Sequence, residues 1–110
     1  MTKYRLKFSQ VATSNPVLTF DTPGVSGISC ARVSAGVYEF TGTSIPDPEK
    51  CRLFVSPVEC ENQDTGEPVT ASVVNQGSLR VIGREAVSRT IADFNMAEGV
   101  YVPMVLHIYP

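Results

Sequence analysis

The only histidine in this 110-residue chain is His107, which lies in an apolar segment close to the last residue. Most catalytic mechanisms need a base beside a nucleophile or a metal ion. A serine or cysteine triad would have to use this one imidazole, and the chain contains no Gly-x-Ser-x-Gly motif. The apolar surroundings instead favour a structural histidine whose ring packs or hydrogen-bonds at an interface. We therefore expect a protein without catalytic residues.

The sequence also gives little support for a metal site. Cys30, Cys51, Cys60 and His107 match the ligand count of a zinc site, but their separations of 21, 9 and 47 residues contain no paired-ligand spacing. An odd number of cysteines without a Cys-x-x-Cys pair also argues against a disulfide framework. We predict three buried free thiols, with no metal and no cofactor.

Carboxylates are concentrated in the polar segment 59–67, at Glu59, Glu61, Asp64 and Glu67. Calcium binds several oxygens at once, so these residues could hold this ion. Their spacing does not match an EF-hand loop, and a solvated hairpin loop explains the same residues. Calcium binding at 59–67 stays open at this stage. A carboxylate pair across a cleft would indicate a small hydrolase, although a domain of this size offers little depth.

A row of basic residues, Lys3, Arg5 and Lys7, occupies alternate positions near the N-terminus. Such a row shares one face of a strand and could contact phosphates. No aromatic residue alternates with the row on that face, and the formal net charge is −2. We therefore expect a solvated strand face rather than a nucleic-acid site, and lysines there also discourage edge-to-edge aggregation.

The elements that must position these residues are strands, because apolar and polar residues alternate with a period of two. The pattern predicts one all-β domain over residues 1–110, an antiparallel β-sandwich or jelly-roll-like domain of about eight short strands. The predicted strands cover 4–8, 17–20, 28–33, 37–41, 51–56, 69–74, 79–82 and 100–109.

Turn residues separate these strands. A tight turn is predicted at 21–24, hairpins at 34–36 and 75–77, and a proline-rich connection at 44–50. Pro57 indicates that the preceding strand ends there or runs along a sheet edge. Segment 85–98 is predicted to be a loop with at most one helical turn.

The segment from Val100 to Tyr109 is apolar on both faces, which indicates a strand inside a sheet or against another subunit. Together with Val69 to Val74 it is our candidate for burial between copies, and we expect a homo-oligomer, with three copies. The chain has no continuous apolar stretch of signal-peptide or membrane-spanning type, so we expect cytoplasmic synthesis and no membrane insertion.

Three stretches resemble small β-rich proteins of tailed phages and prophages: Lys3 to Val17, Ala35 to Gly42, and Val105 to Pro110. The Gly-Val-Tyr hairpin at 36–38 is also similar to the knob domains of phage fibres. The resemblance implies a non-enzymatic virion protein, of fibre-knob or head-decoration type, in a trimeric β-sandwich. It also implies partners among other virion proteins and contact of loops with a host surface glycan or protein.

The alternative is a stand-alone carbohydrate- or protein-binding module. A carbohydrate module would need exposed aromatic residues in its loops. Tryptophan is absent, and Phe94 is the only aromatic residue in a predicted loop, which weakens this alternative.

Overall fold

A computed structural model describes residues 1–21, 24–45 and 47–110 of the protein. Among these residues, nine β-strands form two antiparallel sheets, which confirms the predicted all-β sandwich. The strands are β1 (Thr2–Ser9), β2 (Val17–Phe20), β3 (Ser29–Ser34), β4 (Val37–Thr41), β5 (Cys51–Val55), β6 (Cys60–Glu61), β7 (Pro68–Asn75), β8 (Leu79–Glu85) and β9 (Val102–Ile108). A 3-10 turn at Pro48–Lys50 precedes β5.

The four-stranded sheet has the order β2-β1-β9-β5, and the five-stranded sheet has the order β3-β4-β8-β7-β6. The two ends of the chain therefore pair with each other, from Thr2 opposite Ile108 to Phe8 opposite Val102. Strand β9 lies between β1 and β5, as its two apolar faces predicted. Strand β5 ends two residues before Pro57 and forms an edge of its sheet.

Both predicted hairpins are present, joining β3 to β4 and β7 to β8. The ninth strand, β6, lies inside the segment predicted as a polar loop and pairs with the start of β7. Two residues are too few to show a period of two, so the pattern could not reveal it. Of the predicted turn at 21–24 and connection at 44–50, residues 22, 23 and 46 lie outside the described residues.

The core lies between the sheets and takes one buried face from each. Three aromatic rings meet at its centre, where Phe8 lies 5.2 Å from Tyr38 and 5.4 Å from Phe94 between ring centroids. Phe94 belongs to the connection between β8 and β9 and is fully buried. Phe94 lies outside the strands, as predicted, but its connection folds inward, so the ring fills the space between the sheets and is not presented to a ligand.

All three cysteines are free and buried, as predicted. Burial raises the pKa of each thiol, and that of Cys30 reaches about 12, with a smaller contribution from Glu39. Because the thiolate is the reactive form, the native thiols should be inert.

We predict that a thiol reagent such as dithionitrobenzoate labels none of the three cysteines in the native protein at pH 8. All three should react once guanidinium unfolds the chain. Rapid labelling of a cysteine under native conditions would contradict the buried placement.

The connection from 86 to 101 is held close against the β3–β4 hairpin and β8. Ala92 donates a hydrogen bond to the carbonyl of Gly83 at 3.0 Å, and Gly83 donates to that of Gly36 at 2.8 Å. A Cβ atom on Gly36 would lie 2.6 Å from the Ala92 carbonyl oxygen, and Gly36 has φ +72°. Only glycine fits both the conformation and the space.

We predict that Gly36→Ala lowers the free energy of unfolding by about 3 kcal/mol, from left-handed strain and a backbone collision together. Gly77→Ala is the matched control, because Gly77 has φ +78° but no atom within 4 Å of its added Cβ. The control should lose only about 1 kcal/mol. If urea unfolding showed that both variants lose the same free energy of unfolding, the connection would not be in close contact with Gly36.

Candidate interaction face

A partly buried polar network centres on Asp93 in the connection between β8 and β9. Its carboxylate accepts hydrogen bonds from Arg32 Nη2 at 2.9 Å, from the Gly36 amide at 2.9 Å and from Gln10 Nε2 at 3.3 Å. The Tyr38 hydroxyl lies between Asp93 Oδ1, at 2.9 Å, and Gln10 Oε1. The network therefore joins the end of β1, strands β3 and β4, and the connection.

The charge state of this network follows from its contacts. Burial acts to raise the pKa of Asp93, but the hydrogen bonds from Arg32, Gly36, Tyr38 and Gln10 outweigh it and lower this pKa to about 2. Burial raises the pKa of Tyr38, so its phenol stays neutral. Because the chain itself occupies both carboxylate oxygens, Asp93 acts as a structural anchor rather than as a group presented to a substrate.

His107 lies on the outer surface of the four-stranded sheet. Its ring is in edge contact with Phe54, 4.9 Å between centroids, and its Nδ1 atom lies 3.5 Å from the Tyr109 hydroxyl. In the described ranges, no three or more His, Cys, Asp or Glu side chains are grouped so as to hold a metal ion. The segment 59–67 therefore places no such group around a cation.

One carboxyl pair does form, between Glu67 and Glu85 at the start of β7 and the end of β8. Their mutual hydrogen bond is the main cause that raises the pKa of Glu67 and lowers that of Glu85. A glycosidase keeps its two carboxyl groups about 5 Å or more apart to accommodate the sugar. The direct contact leaves no such space.

Cross-strand pairing surrounds the basic row with aromatic and apolar residues. Arg5 lies opposite Val105 on β9, which in turn lies opposite Phe54 on β5. Lys7 Nζ lies 4.6 Å from the centroid of the Tyr101 ring, a cation–π contact. Strand β1 has no aromatic residue on the face of the basic row, as its sequence shows. The expectation that the row has no aromatic neighbours was wrong, because β5 and the residue before β9 supply Phe54 and Tyr101.

The strands of this surface carry charge of one sign, and one carboxylate, Asp21 just after β2, lies beside Arg5 and Lys7 at its margin. The four strands of this sheet contain no Asp or Glu, but they contain Lys3, Arg5, Lys7 and Arg52. Ion pairs in the part of the chain that the structure describes join Arg32 to Asp93 and Arg80 to Glu39, so none involves the basic row. Phe54 is 54% exposed beside it. We call this surface the basic–aromatic face, formed by Lys3, Arg5, Lys7, Phe54, Tyr101 and His107.

No protein-family model matches this chain, and no curated protein or solved structure is significantly similar to it. Among the described residues, no helix has the length and apolar character needed to cross a lipid bilayer.

We predict that Asp93→Asn lowers the free energy of unfolding by about 2 kcal/mol at pH 7. The folded pKa lies below the unfolded one, so this stability is present above about pH 4 and disappears as the pH falls towards 2. The difference between wild type and variant in urea unfolding should therefore shrink at low pH. Asp64→Asn, an exposed control, should leave stability unchanged. If wild type and Asp93→Asn had nearly the same free energy of unfolding at pH 7, the anchoring role of Asp93 would be contradicted.

Proposed function

We propose that this chain is a non-enzymatic structural protein of a phage or prophage particle that works by assembling with copies of itself, as a homotrimer. The observation that carries the proposal is the basic–aromatic face, where Phe54 is exposed beside cations that form no ion pair within the described part of the chain. The resemblance of the hairpin and the two chain ends to phage proteins supports the same proposal.

The composition of the face is suited to protein contact. Aromatic residues and arginine are enriched at the centres of protein interfaces, whereas lysine belongs to their rims. Here Arg5, Val105 and Phe54 form a row across three strands, and Lys3 and Lys7 flank it. Small-molecule sites are concave. A sheet surface built from paired strands instead offers its area to another protein surface.

The alternative, a stand-alone binding module, is favoured by a different observation. The rings of Phe54 and Tyr101 are exposed and could stack on a sugar. A glycan array separates the two functions, because specific binding that depends on Tyr101 would support the module and overturn a purely structural role.

We predict that the protein sediments at about three times its monomer mass of 11.9 kDa at micromolar concentration. The double variant Arg5→Glu/Phe54→Ser should sediment as a monomer, because it removes the centre of the face. Val33→Ser is the matched control, since Val33 is 50% exposed on the other sheet. A wild-type protein that stays at 11.9 kDa would overturn the assembly proposal.

The assignment to a particle has a separate test. Mass spectrometry of purified phage particles from a host that carries this gene should detect the chain as a stoichiometric component. Its absence from intact particles would overturn the assignment, whatever its oligomeric state.

A further inference from the structure

We propose that the occupant of the basic–aromatic face is a second copy of this chain, which contacts it through the acidic segment 59–67. Copies would then join head to tail, each using its face once and its acidic segment once. This inference rests on the proposed self-assembly and adds to it which two surfaces meet.

Like charge argues against the simpler arrangement in which two faces meet around a two-fold axis. Such a contact is self-complementary, so it would set Lys3, Arg5 and Lys7 of one copy against the same three residues of the other. The four strands of the sheet contain no carboxylate, and Asp21, which follows β2 beside Arg5 and Lys7, leaves the three cations in excess. The face therefore requires a different surface, and one of opposite charge.

The chain carries that opposite surface elsewhere. Glu59, Glu61 and Asp64 are exposed in segment 59–67, and Glu67 is half-buried at its end. None of these four carboxylates is within ion-pair distance of a lysine or arginine among the described residues. Arg84 and Arg89 line a shallow depression with Glu59. The four carboxylates outnumber these two cations, so the segment stays negative.

The acidic segment is also held in place before any partner arrives. Asn62 is buried at its centre and donates from Nδ2 to the backbone carbonyl of Asp93 at 3.0 Å. Its Oδ1 atom accepts from the amides of Asp64 at 2.9 Å and Thr65 at 3.2 Å. Because the loop is already ordered, little conformational freedom remains to be lost on contact.

Symmetry links this contact to the number of copies. A cyclic trimer cannot be built from self-complementary contacts, since each copy must offer one patch to the next copy and a different patch to the previous one. A basic face and an acidic segment on separate parts of one chain are such a pair. Head-to-tail contact therefore agrees with a ring of three.

The test uses two charge-reversal variants of the full chain. The face variant is Lys3→Glu/Arg5→Glu/Lys7→Glu, and the segment variant is Glu59→Lys/Glu61→Lys/Asp64→Lys. Each alone should weaken self-association at least tenfold in sedimentation velocity, because its face and segment then carry the same sign. A chain that carries both sets of reversals should regain association, because its face and its segment again have opposite signs.

Glu49→Lys/Glu98→Lys is the control, since both carboxylates are exposed outside the segment and the variant should associate as wild type does. Unchanged urea midpoints would show that all variants fold. If wild type associates but the segment variant does so equally well, or if the chain with both sets of reversals does not regain association, this inference is overturned and self-assembly stands. A monomeric wild type would overturn both. A monomer retained on heparin–agarose by its face would identify a polyanion as the occupant.

Discussion

The carboxylate of Asp93 is the interaction on which the arrangement of the sandwich depends. It holds the long connection between β8 and β9 against Arg32, Gly36 and Tyr38, which belong to the β3–β4 hairpin. That connection delivers β9 to its place between β1 and β5 and brings Phe94 into the core. Charge-assisted hydrogen bonds are about twice as strong as neutral ones, which suits a position that must fix so many separate segments.

The same network positions both surfaces that we assign to assembly. Through β9 it sets the neighbours of the basic row, so that Val105 and His107 lie beside Arg5 and Lys3. Through Asn62, which donates to the Asp93 carbonyl, it orders the acidic segment 59–67. A chain with a net charge of −2 can therefore carry one basic face, because its carboxylates are kept off the strands of that sheet.

Local signals predicted most of the fold. The alternation in β1, the glycine turn before β4 and the proline after β5 each depend on neighbours in sequence, and the structure agrees with all three. The site was less predictable. Asp93 belongs to no motif, and the partners of its carboxylate lie from 55 residues away in sequence (Tyr38) to 83 residues away (Gln10). Pairing of the chain ends also brought aromatic rings to the basic row, which reading β1 alone could not show.

Assembly driven by opposite charges on two surfaces of the same chain should depend on the salt concentration. Sedimentation velocity of the wild-type protein between about 0.01 M and about 1 M NaCl tests it most directly, because the screening length falls from about 30 Å to about 3 Å over that range. We predict an oligomer at low salt that dissociates towards monomer as salt rises. An oligomer whose mass is unchanged or larger at high salt would contradict it and indicate apolar association instead.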